Sequence, residues 1–124
     1  MSNKAESGDR SGLLSICRKA GKLKCGMDIV KSSCENGEAN AVFVTTDLSD
    51  KSLKEIRFNC AKNSVKVYRL NMDMQQVANA IGKKTGIMAA LDGGFAKSLA
   101  KGAEEISADI NEFYSEIYKE AAYE

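Results

Sequence analysis

Ten residues, Cys17 to Gly26 (CRKAGKLKCG), hold four basic side chains and two cysteines, and three chemistries could use them: a metal clip, a nucleotide cradle or a polyanion surface. Metal fails on ligand type. The chain has no histidine, and Cys17 and Cys25 stand eight apart, whereas zinc is held by close cysteine pairs completed by a second pair or by histidines. The four cysteines, at 17, 25, 34 and 60, read instead as small hydrophobes of a reducing compartment. A phosphate cradle of the G-x-x-x-x-G-K-[ST] kind fails around Gly82 and Lys83, because Val77 stands where the first glycine belongs and Lys84 where the hydroxyl belongs. A cysteine nucleophile would find no imidazole to activate it, and no G-x-S-x-G or G-x-G-x-x-G occurs. No enzyme, metal or cofactor is expected.

The polyanion surface survives. Arg18, Lys19, Lys22 and Lys24 precede Gly26, and Lys83 and Lys84 follow Gly82, so two basic loops are each bounded by glycine. The net charge of +1 hides an uneven distribution. Residues 10–102 carry sixteen Lys or Arg against eight Asp or Glu, while residues 103–124 carry one Lys against seven acids. A basic body with an acidic tail points to a partner made of phosphates, because lysines beside a helix N-terminus favour anions and a string of phosphates uses several such groups together.

These residues must be positioned by a single domain. No secretory h-region and no run of about 18 apolar residues is present, so a soluble cytoplasmic protein without membrane contact is expected. Ser11 is placed to cap a first helix, with Leu13, Leu14, Cys17 and Ala20 on one stripe and Gly21 at its end. KLKC is a short connecting strand, and a second helix runs from Gly26 to Gly37. AVFVTT reads as a buried strand. Asp47 or Ser49 caps a third helix, VKVYRL alternates as a half-buried strand, and Asp73 caps a fourth helix ending at Gly82. GIMAAL is a further strand, and a last helix begins near Phe95. Strands alternating with helices predict a three-layer α/β/α sandwich around a small mixed, mostly parallel sheet. The loops to inspect are 18–28, 45–50, 82–86 and 92–94. Leu99, Ala103, Ile106, Ile110, Phe113 and Ile117 continue one apolar stripe at spacings of 4, 3, 4, 3 and 4, which predicts a C-terminal amphipathic helical extension. The organisation expected is thus a flexible N-terminus at 1–9, an α/β/α domain at 10–102 and an acidic helical tail at 103–124.

The stretch LLSICRKAGKLKCGMDIVKSSCENGEANAVFVTTDLS, followed by AIGKK and DGGFAKSL, closely resembles the bacterial YlxQ-like branch of the kink-turn-binding ribosomal proteins, the archaeal L-seven-Ae type. The resemblance covers about residues 10–101 and is most specific in R-K-A-G-K-L-x-x-G, A-I-G-K and G-F-A-K. It implies that the start of the second helix and the loop after the fourth bind structured RNA. In such proteins the helix start reads G-x-N-E-x-x-K. Laid on this chain the glycine is Gly26, but the three polar readers are replaced by Asp28, Ile29 and Ser32. Lys31 lies beside the lysine position, about 100° round the helix. The second contact, an apolar lip against a flipped nucleotide, corresponds to Ala80, Ile81 and Gly82 with Lys83 and Lys84 beside it.

The expected function is therefore non-catalytic binding of structured RNA, with ribosomal RNA or a kink-turn-like RNA as the partner. Lys22, Lys24 and Lys31 neutralise phosphates, Gly26 admits close backbone approach, Met27, Asp28 and Ile29 with Ser32 present the helix start, and Ala80 to Lys84 form the opposing lip. A homodimer through the C-terminal helix is a second expected assembly. The alternative is a protein-interaction module on the same fold that has lost kink-turn recognition.

Overall fold

The structure, a computed structural model, describes residues 10–113. Along them run α1 (Arg10–Lys19), β1 (Leu23–Cys25), α2 (Met27–Glu35), β2 (Ala41–Val44), α3 (Asp50–Lys62), β3 (Val67–Arg69), α4 (Met74–Ile81), β4 (Ile87–Ala90), α5 (Gly93–Ala100), β5 (Glu104–Glu105) and a 3-10 turn at Ile110–Phe113. Local chemistry accounts for most of these boundaries. The end of α1 is closed by the Gly21 N–H donating to the Arg18 carbonyl at 2.9 Å and the Lys22 N–H donating to the Cys17 carbonyl at 3.0 Å, a Schellman pair. Ser49 caps α3 by accepting from the Ser52 N–H. Asp73 and Gln76 complete a capping box on α4, each side chain accepting from the other's backbone N–H at 2.8 Å. Asp92 caps α5, which starts at Gly93, ahead of Phe95, and Ser11 falls inside the first turn of α1 instead of at its cap.

The strands form one sheet in the order β1-β4-β2-β3-β5. β2 lies at its centre and all four of its residues are buried. Because strand side chains alternate between faces, Ala41 and Phe43 join Leu14, Cys17, Val77 and Leu99 under α1, α4 and α5, while Val42 and Val44 join Val30, Cys34, Ile56 and Cys60 under α2 and α3. The three-layer α/β/α sandwich is what the alternation of elements predicts.

The sheet is not mostly parallel. β2 and β3 pair in parallel, but β1 with β4, β2 with β4 and β3 with β5 are antiparallel. The cause lies in α4. The chain leaves β3 beside Val44, since Arg69 is level with Val44, and enters β4 at Ile87, which is also level with Val44. A helix that begins and ends at the same end of the sheet carries the chain nowhere along it, so the next strand must run backwards.

The predicted helix from 103 onwards is also absent from the described residues. α5 stops at Ala100, Lys101 is extended and Gly102 takes a φ of +78°. Glu104 and Glu105 then pair with Arg69 and Tyr68. The apolar stripe was misleading because the chain passes round the sheet edge: Leu99 is buried under α1 on one face, whereas Ile106 packs with Val67 and Ile56 on the other. Its continuation through Ile117 lies outside the described residues. No helix among the described residues is long and apolar enough to cross a membrane.

Candidate nucleic-acid interface

One end of the sheet gathers the C-terminal ends of β1, β2 and β3, the start of β4, and the starts of α2, α3 and α4. The Cys25–Met88 register and the Gly26 N–H, which donates to the Ile87 carbonyl at 3.0 Å, bring the first turn of α2 beside the loop that enters β4. The two glycine-bounded segments, with Gly26 and Gly82 56 residues apart in sequence, are thereby placed together. Loops 45–50 and 82–86 share this end, since the Thr45 N–H donates to the Gly86 carbonyl at 3.1 Å. Loop 92–94 does not. It follows the other end of β4, where the Asn40 side chain donates to the Leu91 carbonyl at 2.8 Å.

The start of α2 differs from those of α3, α4 and α5. Each of those is capped by its own Ser or Asp side chain, but α2 begins at Gly26, which has none. The N–H groups of Met27, Asp28 and Ile29 are the orphan donors of a helix N-terminus and carry no side-chain cap. Gly26 itself has φ +101° and ψ 149°, a region open essentially to glycine alone. Asp28 is exposed, Ile29 is 48% exposed and Met27 is half-buried. Ser32 is exposed one turn along the same face as Asp28.

Opposite stands the lip. Ala80 and Ile81 are half-buried against the core, Gly82 ends α4 with φ +75°, and Lys83 and Lys84 are exposed. The loop is folded back by the buried Thr85 hydroxyl, which donates to the Ile87 carbonyl at 3.1 Å and accepts from the Ile87 N–H at 3.3 Å. Positive charge converges under it. Burial pushes the Cys25 thiol pKa up, and the charges of Arg18 and Lys83 oppose that shift. Arg18 also donates to the Cys25 sulfur at 3.4 Å. Arg18 is thus part of the cluster although its position in sequence gave it no separate role. The only signal was its place in the basic decapeptide.

Three predicted phosphate ligands are distributed differently. Lys24 is exposed on the edge strand β1, between the buried Leu23 and Cys25. Lys22 sits at the opposite end of β1 from Gly26, its carbonyl accepting from the Leu91 N–H at 2.9 Å. Lys31 bonds Glu55 of α3 at 2.9 Å, and that bond raises its pKa. Among the described residues no group of three His, Cys, Asp or Glu side chains converges as a metal site would.

Fold and site together define a small α/β/α domain with an uncapped helix start beside a basic loop that follows Gly82. The chain belongs to the ribosomal protein L7Ae/L30e/S12e/Gadd45 family, whose profile matches residues 10–107. It is 28% identical over 85 residues to the RNA-binding protein YlxQ of Enterococcus faecium, covering 68% of this chain and 82% of that protein. A solved structure of a protein of unknown function from Bacillus halodurans superposes with a TM-score of 0.69 at 25% identity, over 74% of this chain and 93% of that one.

Proposed function

We propose that this protein binds structured RNA, without catalysing a reaction, through the α2 start and the Ala80–Lys84 lip. The observation that carries the reading is the pairing of an uncapped helix start with Lys83 and Lys84 across the β1–β4 junction. Lys83, Lys84 and Arg18 attract phosphates, and the half-buried Ala80 and Ile81 offer an apolar seat for an unstacked base. Asp28 repels phosphate but accepts from base amino groups, as carboxylates do from cytosine. RNA of the kink-turn type, in the ribosome or elsewhere in the cytoplasm, is the target this arrangement fits, with selectivity weakened where Asp28, Ile29 and Ser32 replace the polar readers.

A second reading, a protein-interaction module, is favoured by the exposed Ile29 where a polar reader is expected. One experiment separates the two. RNA affinity is measured across a salt series for wild type, for Lys83→Ala/Lys84→Ala, and for Lys62→Ala/Lys66→Ala, which removes the same charge at the opposite end of the sheet. The first pair is expected to reduce the slope of log K against log salt by about 1.5, since each phosphate contact contributes roughly 0.7 to 0.9, and the second to leave it nearly unchanged. Equal effects of the two pairs would mean that only net charge matters, and no RNA binding at all would leave the protein-interaction reading.

A further inference from the structure

The RNA-binding reading makes no use of the thiols under α2 and α3. Cys34 of α2 and Cys60 of α3 lie on the inner faces of these helices with their sulfur atoms 3.9 Å apart, and both are buried and free of a disulfide. The neighbouring contacts hold the same two helices in register. Lys31 bonds Glu55 one turn before the pair, and the Asn59 side-chain N–H donates to the Glu35 carboxylate at 3.1 Å beside it. Two thiols fixed side by side on rigid elements need to close by only about 2 Å to reach disulfide length. The four cysteines are otherwise unlike one another: Cys17 donates to the Lys22 carbonyl, and Cys25 accepts from Arg18.

We propose that Cys34 and Cys60 form an oxidisable dithiol that a peroxide converts into an intramolecular disulfide tying α2 to α3. The two sulfurs have different parts. Both residues are buried, Cys34 at 3% and Cys60 at 0% exposed, so only an oxidant as small as hydrogen peroxide can reach them. The contact between the two thiols lowers the Cys34 pKa and raises that of Cys60, which makes Cys34 the nucleophile. Its thiolate attacks one peroxide oxygen, the O–O bond breaks, and hydroxide leaves and takes up the proton that Cys34 gave. The Cys60 sulfur then attacks the Cys34 sulfenic acid, the S–O bond breaks and water departs with the Cys60 proton. Two thiols and one hydrogen peroxide thus give one disulfide and two waters.

The test uses the folded full chain, treated with hydrogen peroxide and then unfolded in a thiol-alkylating reagent. Trypsin cuts after Lys31, Lys51, Arg57 and Lys62, so Cys34 and Cys60 fall on separate peptides, 32–51 and 58–62, and Cys17 and Cys25 fall on two others. The expected result is a monomer lighter by two hydrogens in which most molecules alkylate at two of their four cysteines, with peptides 32–51 and 58–62 joined until dithiothreitol is added. Cys34→Ser is expected to abolish the link. Four alkylated thiols, added oxygen without a link, or a link joining any other pair or two chains would overturn the proposal, and the wild-type peptide map decides this whether or not the variant folds.

Discussion

Replacing Gly26 by Ala probes the junction between β1 and α2 with the least ambiguity. A Cβ added there meets no atom within 4 Å, so the substitution cannot act by steric overlap with a neighbour. Its cost comes from the backbone alone. At φ +101° and ψ 149° an L-residue is held in a region almost never populated, worth about 1–3 kcal/mol. The chain can escape only by rotating Gly26, which gives up the N–H bond to the Ile87 carbonyl at 3.0 Å and disturbs the Val30 N–H bond to the Gly26 carbonyl at 2.9 Å. Each such bond contributes about 1 kcal/mol net. Both routes therefore lead to a loss of about 1–3 kcal/mol, or about 4–8 °C in melting temperature per kcal/mol for a domain of this size. Urea unfolding at constant m-value measures it. RNA affinity is expected to fall in the same variant, because rotation at Gly26 re-aims the N–H groups of Met27 to Ile29. A midpoint indistinguishable from wild type would show that positive φ is not imposed at this junction and would refute the reasoning.

Cys17 makes stability depend on alkaline pH: burial, then the negative charges of Asp92 and Cys25, raise its pKa from 9.0 to about 11. The folded chain holds this proton more tightly than the unfolded one, so the contribution is whole below about pH 9 and is lost as pH rises towards 11, by up to about 2–3 kcal/mol. The difference in unfolding free energy between wild type and Cys17→Ala should shrink over that window, and a constant difference would sink the assignment. Removing residues from Ala103 onwards should destabilise the fold by at least about 3 kcal/mol, since it deletes the Ile106 N–H bond to the Val67 carbonyl, the acceptor of the Arg57 side chain and the Phe113 ring, 5.0 Å from Phe58. The same truncation should leave RNA affinity at about 0.15 M salt within about twofold, because β5 is four strand spacings, about 19 Å, from β1, more than twice the Debye length of about 8 Å. A marked rise in affinity would show that the acidic segment masks the RNA surface.

What could be read from the sequence was local. A capping box needs only Asp73 and Gln76, three apart. The helix end at Gly82 shows itself within one turn, and the short apolar run at 41–44 reads as a buried strand. Such signals act between residues that remain neighbours whatever the rest of the chain does, and they supplied the element order as far as α5, both glycine-bounded loops and the layered architecture. The decisions left to tertiary structure were those between residues far apart in the chain. The reversed direction of β4 depends on where α4 can lie. The burial of Leu99 and Ile106 on opposite faces depends on a sheet edge that no periodicity records. Lys31 could serve equally as a phosphate ligand or as the partner of Glu55 until α3 packed beside α2, and the 3.9 Å approach of Cys34 to Cys60 follows from the same packing. A side chain's role is set by what it meets. Within a helical turn the sequence names that neighbour, and across the sheet only the fold does.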